Sequence, residues 1–232
     1  MELSKFGIDS LISPYLSISL LPNKLGAERM LSELRTPGQK WFVLTSTNAL
    51  GFWLELVGAA EGIAGLMTPG VRYAAIGEQT AAQLVEIGAK EVLVPDVRDA
   101  SSLSELMRIE TPTKVVIPSG SIAMKSLSND LNLAGFEVIS EVVYSTEIVS
   151  DRPSAFDAVE NGEVAAVLLR SPSAVRAFLK FHPNPKLKIV CGGNTTANQL
   201  RALGFEPATI SADPSPRACA EAIHKLLSNR AE

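Results

Sequence analysis

The chain has 232 residues, 46% of them hydrophobic, with a formal net charge of −4 at pH 7 and a pI near 5.4. That length exceeds one ordinary α/β domain and suits two small ones with real cores. The acidic balance excludes a global basic field of the kind that gathers nucleic acid or an anionic membrane, and the two cysteines, Cys191 and Cys219, are too few for a disulfide framework or a zinc cluster.

In chain order, Glu2–Ile8 reads as the last turn of a helix closed by Gly7. Helices seldom open a domain at their own end, so a preceding strand and most of a helix are expected to be absent from the chain. Residues 11–21 are interrupted by Ser13, Pro14, Ser17 and Ser19, which argues against a signal peptide or a membrane span. A soluble, cytoplasmic protein is expected. Residues 15–20, Tyr-Leu-Ser-Ile-Ser-Leu, alternate with period two and predict a half-buried strand.

A polar helix over 22–35 follows, then strand 41–45, helix 48–60, strand 71–76, helix 79–87, strand 91–94, helix 101–109, strand 114–118 and helix 121–134. Residues 136–148 are a long β-rich run. Beyond Asp151-Arg-Pro153 come helix 153–161, strand 165–169, helix 173–180, strand 187–191, helix 195–203, strand 206–210 and helix 215–228. Alternating strands and helices predict an α/β fold with doubly wound parallel sheets. The C-terminal half has only three clear strands, so one domain is expected to be inserted in the other. Residues 1–13 plus 150–232 would form domain 1, and 22–138 the inserted domain 2. Residues 14–21 and 139–149 would be a two-stranded linker.

The two halves repeat each other. Ile76-Gly-Glu-Gln-Thr-Ala-Ala-Gln-Leu-Val-Glu-Ile-Gly88 recurs as Gly192-Gly-Asn-Thr-Thr-Ala-Asn-Gln-Leu-Arg-Ala-Leu-Gly204. Phe42-Val-Leu-Thr-Ser-Thr-Asn-Ala-Leu50 resembles Val167-Leu-Leu-Arg-Ser-Pro-Ser-Ala-Val175. A strand, a glycine turn and a threonine opening a helix make a main-chain cradle for an anion. Two such cradles suggest a ligand with several negative groups.

The candidate binding residues lie at these turns, where open α/β sheets gather their ligands. They are Thr80, Thr195 and Thr196 at the glycine turns, Ser46, Asn48, Ser171 and Ser173 at the other repeated pair, and Ser119 and Gly120 after strand 114–118. For the hydroxyl and amide residues among these, helix capping is an equally natural role. Tyr144 is either a strand tyrosine covering the linker or a phenol that donates a proton. His182, read as part of a surface loop before Pro183, and His224, on the C-terminal helix, have no acid or nucleophile motif beside them. No close carboxylate pair, metal-ligand spacing, P-loop or dinucleotide fingerprint is present. The expectation is an enzyme or binder with no cofactor and no metal.

Six segments, in order along the chain, resemble the uroporphyrinogen-III synthase family. They are Leu44–Leu50, Ile76–Ala81, Pro118–Ser121 with Leu133-Ala-Gly135, Val143-Tyr-Ser-Thr146, Arg170–Ser173 and Gly193–Ala197. The resemblance implies two flavodoxin-like domains, one split by the other, and a cofactor-free lyase of heme biosynthesis. Such an enzyme cyclises the linear tetrapyrrole hydroxymethylbilane to uroporphyrinogen III, inverting ring D and losing water. Tyr144 matches the tyrosine proposed to assist loss of the hydroxyl. Thr80 and Thr196 match the family's site threonines, and Ser171 and Ser173 its cleft serines. Many members carry an arginine where this chain has Met124, with Lys125 adjacent. Members usually begin with a strand, an Arg-Pro-type turn and a helix that this chain lacks. A monomer that takes up this small molecule, with no nucleic acid or membrane partner, is expected. Two other readings stay open: a non-catalytic two-domain sensor, and a family member inactive without that N-terminal piece.

Overall fold

The computed structural model describes residues 2–122 and 126–228. The chain divides into two units, unit 1 comprising Met1–Ser17 with Glu147–Glu232 and unit 2 comprising Ile18–Thr146. It passes from one unit to the other twice, within β1 (Leu16–Leu20) and within β6 (Glu137–Ile148). These strands neighbour each other. Leu21 N–H donates to Val143 O at 3.0 Å, and Val149 N–H to Tyr15 O at 3.2 Å. One index rises as the other falls, so the pair is antiparallel.

Unit 2 forms around β2 (Lys40–Leu44), a strand buried at all five positions. Its neighbours are β3 (Val71–Ala75) and β5 (Lys114–Gly120), and the full order is β1-β6-β5-β2-β3-β4, with β4 at Val92–Leu93. The β2, β3, β4, β5 and β6 pairings are all parallel. The chain winds from β2 out to β4, then returns to the other side of β2, so the winding reverses between β2 and β5. Period-two alternation sends Phe42 and Leu44 to one face and Trp41 and Val43 to the other. The first face packs on α1 (Lys24–Arg35), α2 (Ala49–Val57), α3 (Ala59–Leu66) and α4 (Glu78–Glu86). The second packs on α5 (Ala100–Met107) and α6 (Ser126–Leu133).

Lys40 opens β2 and is 1% exposed. It survives there because its ammonium donates to Leu34 O at 3.3 Å and to Thr36 O. These are carbonyls that the end of α1 leaves without helical partners. Burial, and then the nearby Lys114 charge, push its pKa below the usual lysine range. One helix was expected over 48–60, but Gly58, at φ 87°, breaks it, and α3 leaves α2 at 113°. A left-handed φ is cheap for glycine and ends the helical hydrogen-bond run. No single helix among the described residues is long and apolar enough to cross a membrane.

Unit 1 has three parallel strands in the order β7 (Ala166–Leu169), β8 (Lys188–Cys191) and β9 (Thr209–Ile210). Around them lie α7 (Phe156–Glu160), α8 (Pro172–Phe181), α9 (Asn194–Ala202) and α10 (Pro216–Ser228). The core joins Leu169, Ile189 and Cys191 to Val175, Phe178, Ala197 and Leu200. Burial raises the Cys191 thiol pKa. Leu3–Phe6 form a 3-10 turn, and Gly7, at φ 67°, donates back to Leu3 O and Ser4 O as a helix C-cap does.

His182 is not a surface residue. It is 1% exposed, with Nε2 2.8 Å from Tyr15 Oη, Nδ1 2.5 Å from Glu160 Oε1, and its ring against Phe156 and Phe178. His182 is the C-cap of α8, and Pro183 after it cannot continue the helix.

Candidate functional site

The two glycine turns are the same local structure. Gly77 and Gly193 are the N-caps of α4 and α9, both in extended backbone, and neither helix has a side-chain cap. Thr80 and Thr196 stand three residues into their helices, with 4% and 3% exposure. The capping role is therefore not theirs. Each faces inward in the first turn, one residue before a buried alanine. Thr195 is exposed in the position that Gln79 holds in unit 2. The N–H groups of Glu78, Gln79, Asn194 and Thr195 are the first-turn donors that helix geometry leaves free for an anion. Both helices also end alike. Gly88 (φ 111°) and Gly204 (φ 86°) reverse the chain, and Ala89 and Phe205 donate back to Leu84 O and Leu200 O.

The serine turns differ more. Ser171 caps α8, accepting from Ala174 N–H at 3.1 Å, and its Oγ lies 3.0 Å from Ser173 Oγ. Pro172 occupies the first helical position, where a missing N–H costs nothing. In unit 2, Ser46 Oγ accepts from Asn48 N–H at 3.2 Å, while Asn48 sits at the cap of α2 without capping it. Gln83 Nε2 ties α4 to this turn through Thr47 O at 2.9 Å. Gln199, its repeat, accepts from Arg176 of α8 at 2.8 Å. The repeated glutamine thus ties its helix to the preceding βα segment in both units, to the turn in unit 2 and to α8 in unit 1.

The expected Ser119-Gly120 turn is instead the last part of a strand. Strand β5 runs through Gly120, and Ser119 Oγ donates to Glu141 O at 3.1 Å. A bulge between Ser119 and Gly120 brings Gly120 opposite Tyr144. A Cβ on Gly120 would fall 2.5 Å from Tyr144 Cζ. Glycine is there to admit the ring. Tyr144 is 7% exposed, and Phe52 of α2 stacks on it with centroids 5.5 Å apart. Met124 and Lys125 lie outside the described residues.

Two cations escaped the sequence reading of the site. A Cβ on Gly77 would lie 3.3 Å from Arg98 Cδ, so this exposed side chain covers the unit 2 turn. Among the described residues Arg98 forms no salt bridge. Gly192 is likewise pressed against Arg170, whose guanidinium donates to Pro214 O at 3.0 Å. Arg98 arrives from the loop after β4, so no local spacing announces it. Unit 1 has a third turn as well, where Ser215 caps α10 by accepting from Ala218 N–H at 3.2 Å.

Repeated turns at the carboxyl ends of parallel strands, in a sheet whose winding reverses in unit 2 and a three-stranded sheet in unit 1, define a duplicated α/β protein suited to an anionic ligand. Residues 1–221 match the family described as Uroporphyrinogen-III synthase HemD. The chain belongs to that family. The porphyrin biosynthesis protein HemD of Ruminiclostridium josui is 24% identical over 220 residues, 90% of this chain, and the chain spans 43% of that relative's length. Among solved structures, a mutant uroporphyrinogen III synthase of Thermus thermophilus shares the fold with a TM-score of 0.68 at 19% identity, over 98% of this chain and 93% of that one. The Helicobacter pylori uroporphyrinogen-III synthetase gives 0.63 at 22% identity, over 95% and 96%.

Proposed function

We propose that this chain closes hydroxymethylbilane to uroporphyrinogen III, with inversion of ring D and loss of water. The observation that carries the proposal is the family match over residues 1–221. The chemistry of the turns supports it. The substrate has eight carboxylates, and free main-chain donors at the starts of α4 and α9 let an acidic protein hold a polyanion. Arg98 and Arg170 add positive charge beside the two glycine turns. Thr80, Thr195, Thr196, Ser46, Asn48, Ser119, Gly120, Ser171 and Ser173 are assigned to substrate contact or to shaping those contacts.

The leaving group is a hydroxyl, which departs poorly unless it is protonated or strongly hydrogen-bonded. Tyr144 is assigned that donation, worth about 10²–10⁴-fold. Its ring is fixed by Phe52 and Gly120, so the phenol is held in one orientation. The larger share of catalysis is positioning, because the free bilane also cyclises, to isomer I. An enzyme that fixes the folded geometry of the chain changes the product and the rate together.

The test is a coupled assay that generates hydroxymethylbilane and resolves isomers I and III. Isomer III in excess over the uncatalysed mixture is the expected result. Isomer I alone, at the uncatalysed rate and with the bilane still bound, would replace catalysis with a sensor role.

A further inference from the structure

Strand β6 changes face partway along. Ile139 and Val143 pack in the core on the α1 side of the unit 2 sheet, and Val138 packs against the core on the α5 side. Strict alternation would send Tyr144 with Val138. Tyr144 instead joins Ile139 and Val143. The bulge is the cause. Strand β5 advances one residue, from Ser119 to Gly120, while β6 advances two, from Val142 to Tyr144. The face on which the phenol emerges therefore depends on a local irregularity.

The residue after the bulge holds that irregularity in place. Ser121 N–H donates to Tyr144 O at 2.9 Å, and Ser121 Oγ accepts from Thr146 N–H at 3.1 Å. In a parallel ladder a residue bonds through its N–H and its C=O to two residues of the neighbouring strand that flank the one opposite it. Ser121 keeps that pattern, with its hydroxyl in place of its carbonyl. The main chain can thus leave the sheet after Gly120, where β5 ends, without releasing β6. On the β1 side, Leu21 N–H donates to Val143 O at 3.0 Å, and Ser19 Oγ lies 2.9 Å from Ser145 Oγ. The segment 143–146 is pinned from both sides, and Tyr144 lies within it. Ser121 itself is exposed and Thr146 half-buried. The serine hydroxyl therefore fills no core, and water can reach the Thr146 N–H if it is removed.

We propose that Ser121 is a positioning residue for the reaction: its N–H and hydroxyl fix the main chain at Tyr144 and Thr146, and so the direction of the phenol. This role rests on the assignment of Tyr144 as the proton donor. A misdirected donor leaves substrate binding intact and transfers its proton poorly, so the effect falls on the chemical step.

Ser121→Ala deletes the hydroxyl bond and keeps the N–H bond. For isomer III, kcat should fall about tenfold, less than the about 10²-fold that the phenol itself supplies, with KM within about twofold. Ser121→Thr, which keeps an oxygen on the same Cβ, should restore the parent rate. In the Tyr144→Phe background, Ser121→Ala should cost nothing further. A second readout needs no substrate. The chain has 3 tyrosines, so labelling with ¹³Cζ-tyrosine gives three resonances, and Tyr144→Phe identifies one of them. Ser121→Ala should shift or broaden that resonance and leave those of Tyr15 and Tyr73 in place. Ser121→Thr should return it. Unchanged amide exchange at Val116 checks that each variant is folded.

An equal loss in the Tyr144→Phe background, or a rise in KM in place of a fall in kcat, would overturn the proposal and make Ser121 a contact to the substrate. So would a Tyr144 resonance that Ser121→Ala leaves unmoved, whatever the activity. A chain that forms no isomer III fails the proposed reaction itself. The resonance then decides the clamp alone, which stands if it moves and falls if it does not.

Discussion

In unit 2 the Gly-x-x-Thr-Ala turn sits between covered sheet faces, and an arginine from a distant loop lies on its glycine. In unit 1 the same turn follows a strand of a three-stranded sheet, and a Cβ on Gly193 would meet nothing within 4 Å. Yet the first-turn threonine is buried in both, the exposed positions repeat, and both helices end on the same left-handed glycine. The turn is therefore a local property. Its glycine fits the strand exit and the inward threonine packs at the helix start, whatever the sheet around it. What differs between the copies is what tertiary packing brings over the turn.

The sharpest test of that equivalence is in the core. Leu84 and Leu200 are repeats and both fully buried. Leu84→Ala and Leu200→Ala should each destabilise by about 2–5 kcal/mol, the usual span for buried leucine, in urea unfolding. A cost in unit 1 well below that range would show that its smaller sheet packs its copy loosely.

Tyr144 has no repeat in unit 1, so Tyr144→Phe asks whether function rests on a residue that only one copy supplies. Isomer III formation should fall by about 10²-fold, the low end for one proton donor. The melting temperature should hold, since the ring and its Phe52 contact remain. An unchanged rate would leave positioning by the two turns as the whole mechanism.

Thr80→Ala and Thr196→Ala should each lower kcat/KM by about tenfold, the size of one hydrogen bond to a charged group. Neither is a cap, but both are buried, so each change should also lower stability by about 0.5–1.5 kcal/mol, the cost of removing one buried methyl. A loss in one variant only would make the cradles unequal despite their matching geometry. A loss accounted for by lowered stability would return both to packing roles.

The smallest effect concerns acid. Arg72 on β3 binds Glu110 at 2.6 and 2.9 Å and covers Trp41 at 4.1 Å, whereas its repeat, Lys188, donates to Leu226 O at 3.3 Å. The hydrogen bond from Arg72, then its charge, hold the Glu110 carboxyl below its ordinary 4.5. A lowered carboxylate pKa stabilises the fold above the unfolded value and loses that contribution as pH falls through the folded one. Glu110→Gln should therefore lower stability slightly at neutral pH and flatten the acid limb below about pH 4.5. An acid limb identical to that of the parent protein would place acid sensitivity elsewhere.

Sequence alone determined the α/β alternation, the repeated turns and most strand positions, because these are written in short-range signals. Period-two and helical spacing, glycine caps and a proline at a helix start act within a few residues. It overextended the two-residue strands β4 and β9, whose pairing depends on a neighbour. Only the tertiary structure decided the rest. His182 became a buried anchor through Tyr15 and Glu160, distant in sequence. Gly120 gained its reason from Tyr144, Gly77 its covering from Arg98, and Lys40 its burial from the end of α1. Each of these rests on a contact between elements that the chain keeps apart and the sheet brings together. Local pattern carries no record of such a contact, because its energy appears only when both partners leave water at the same place.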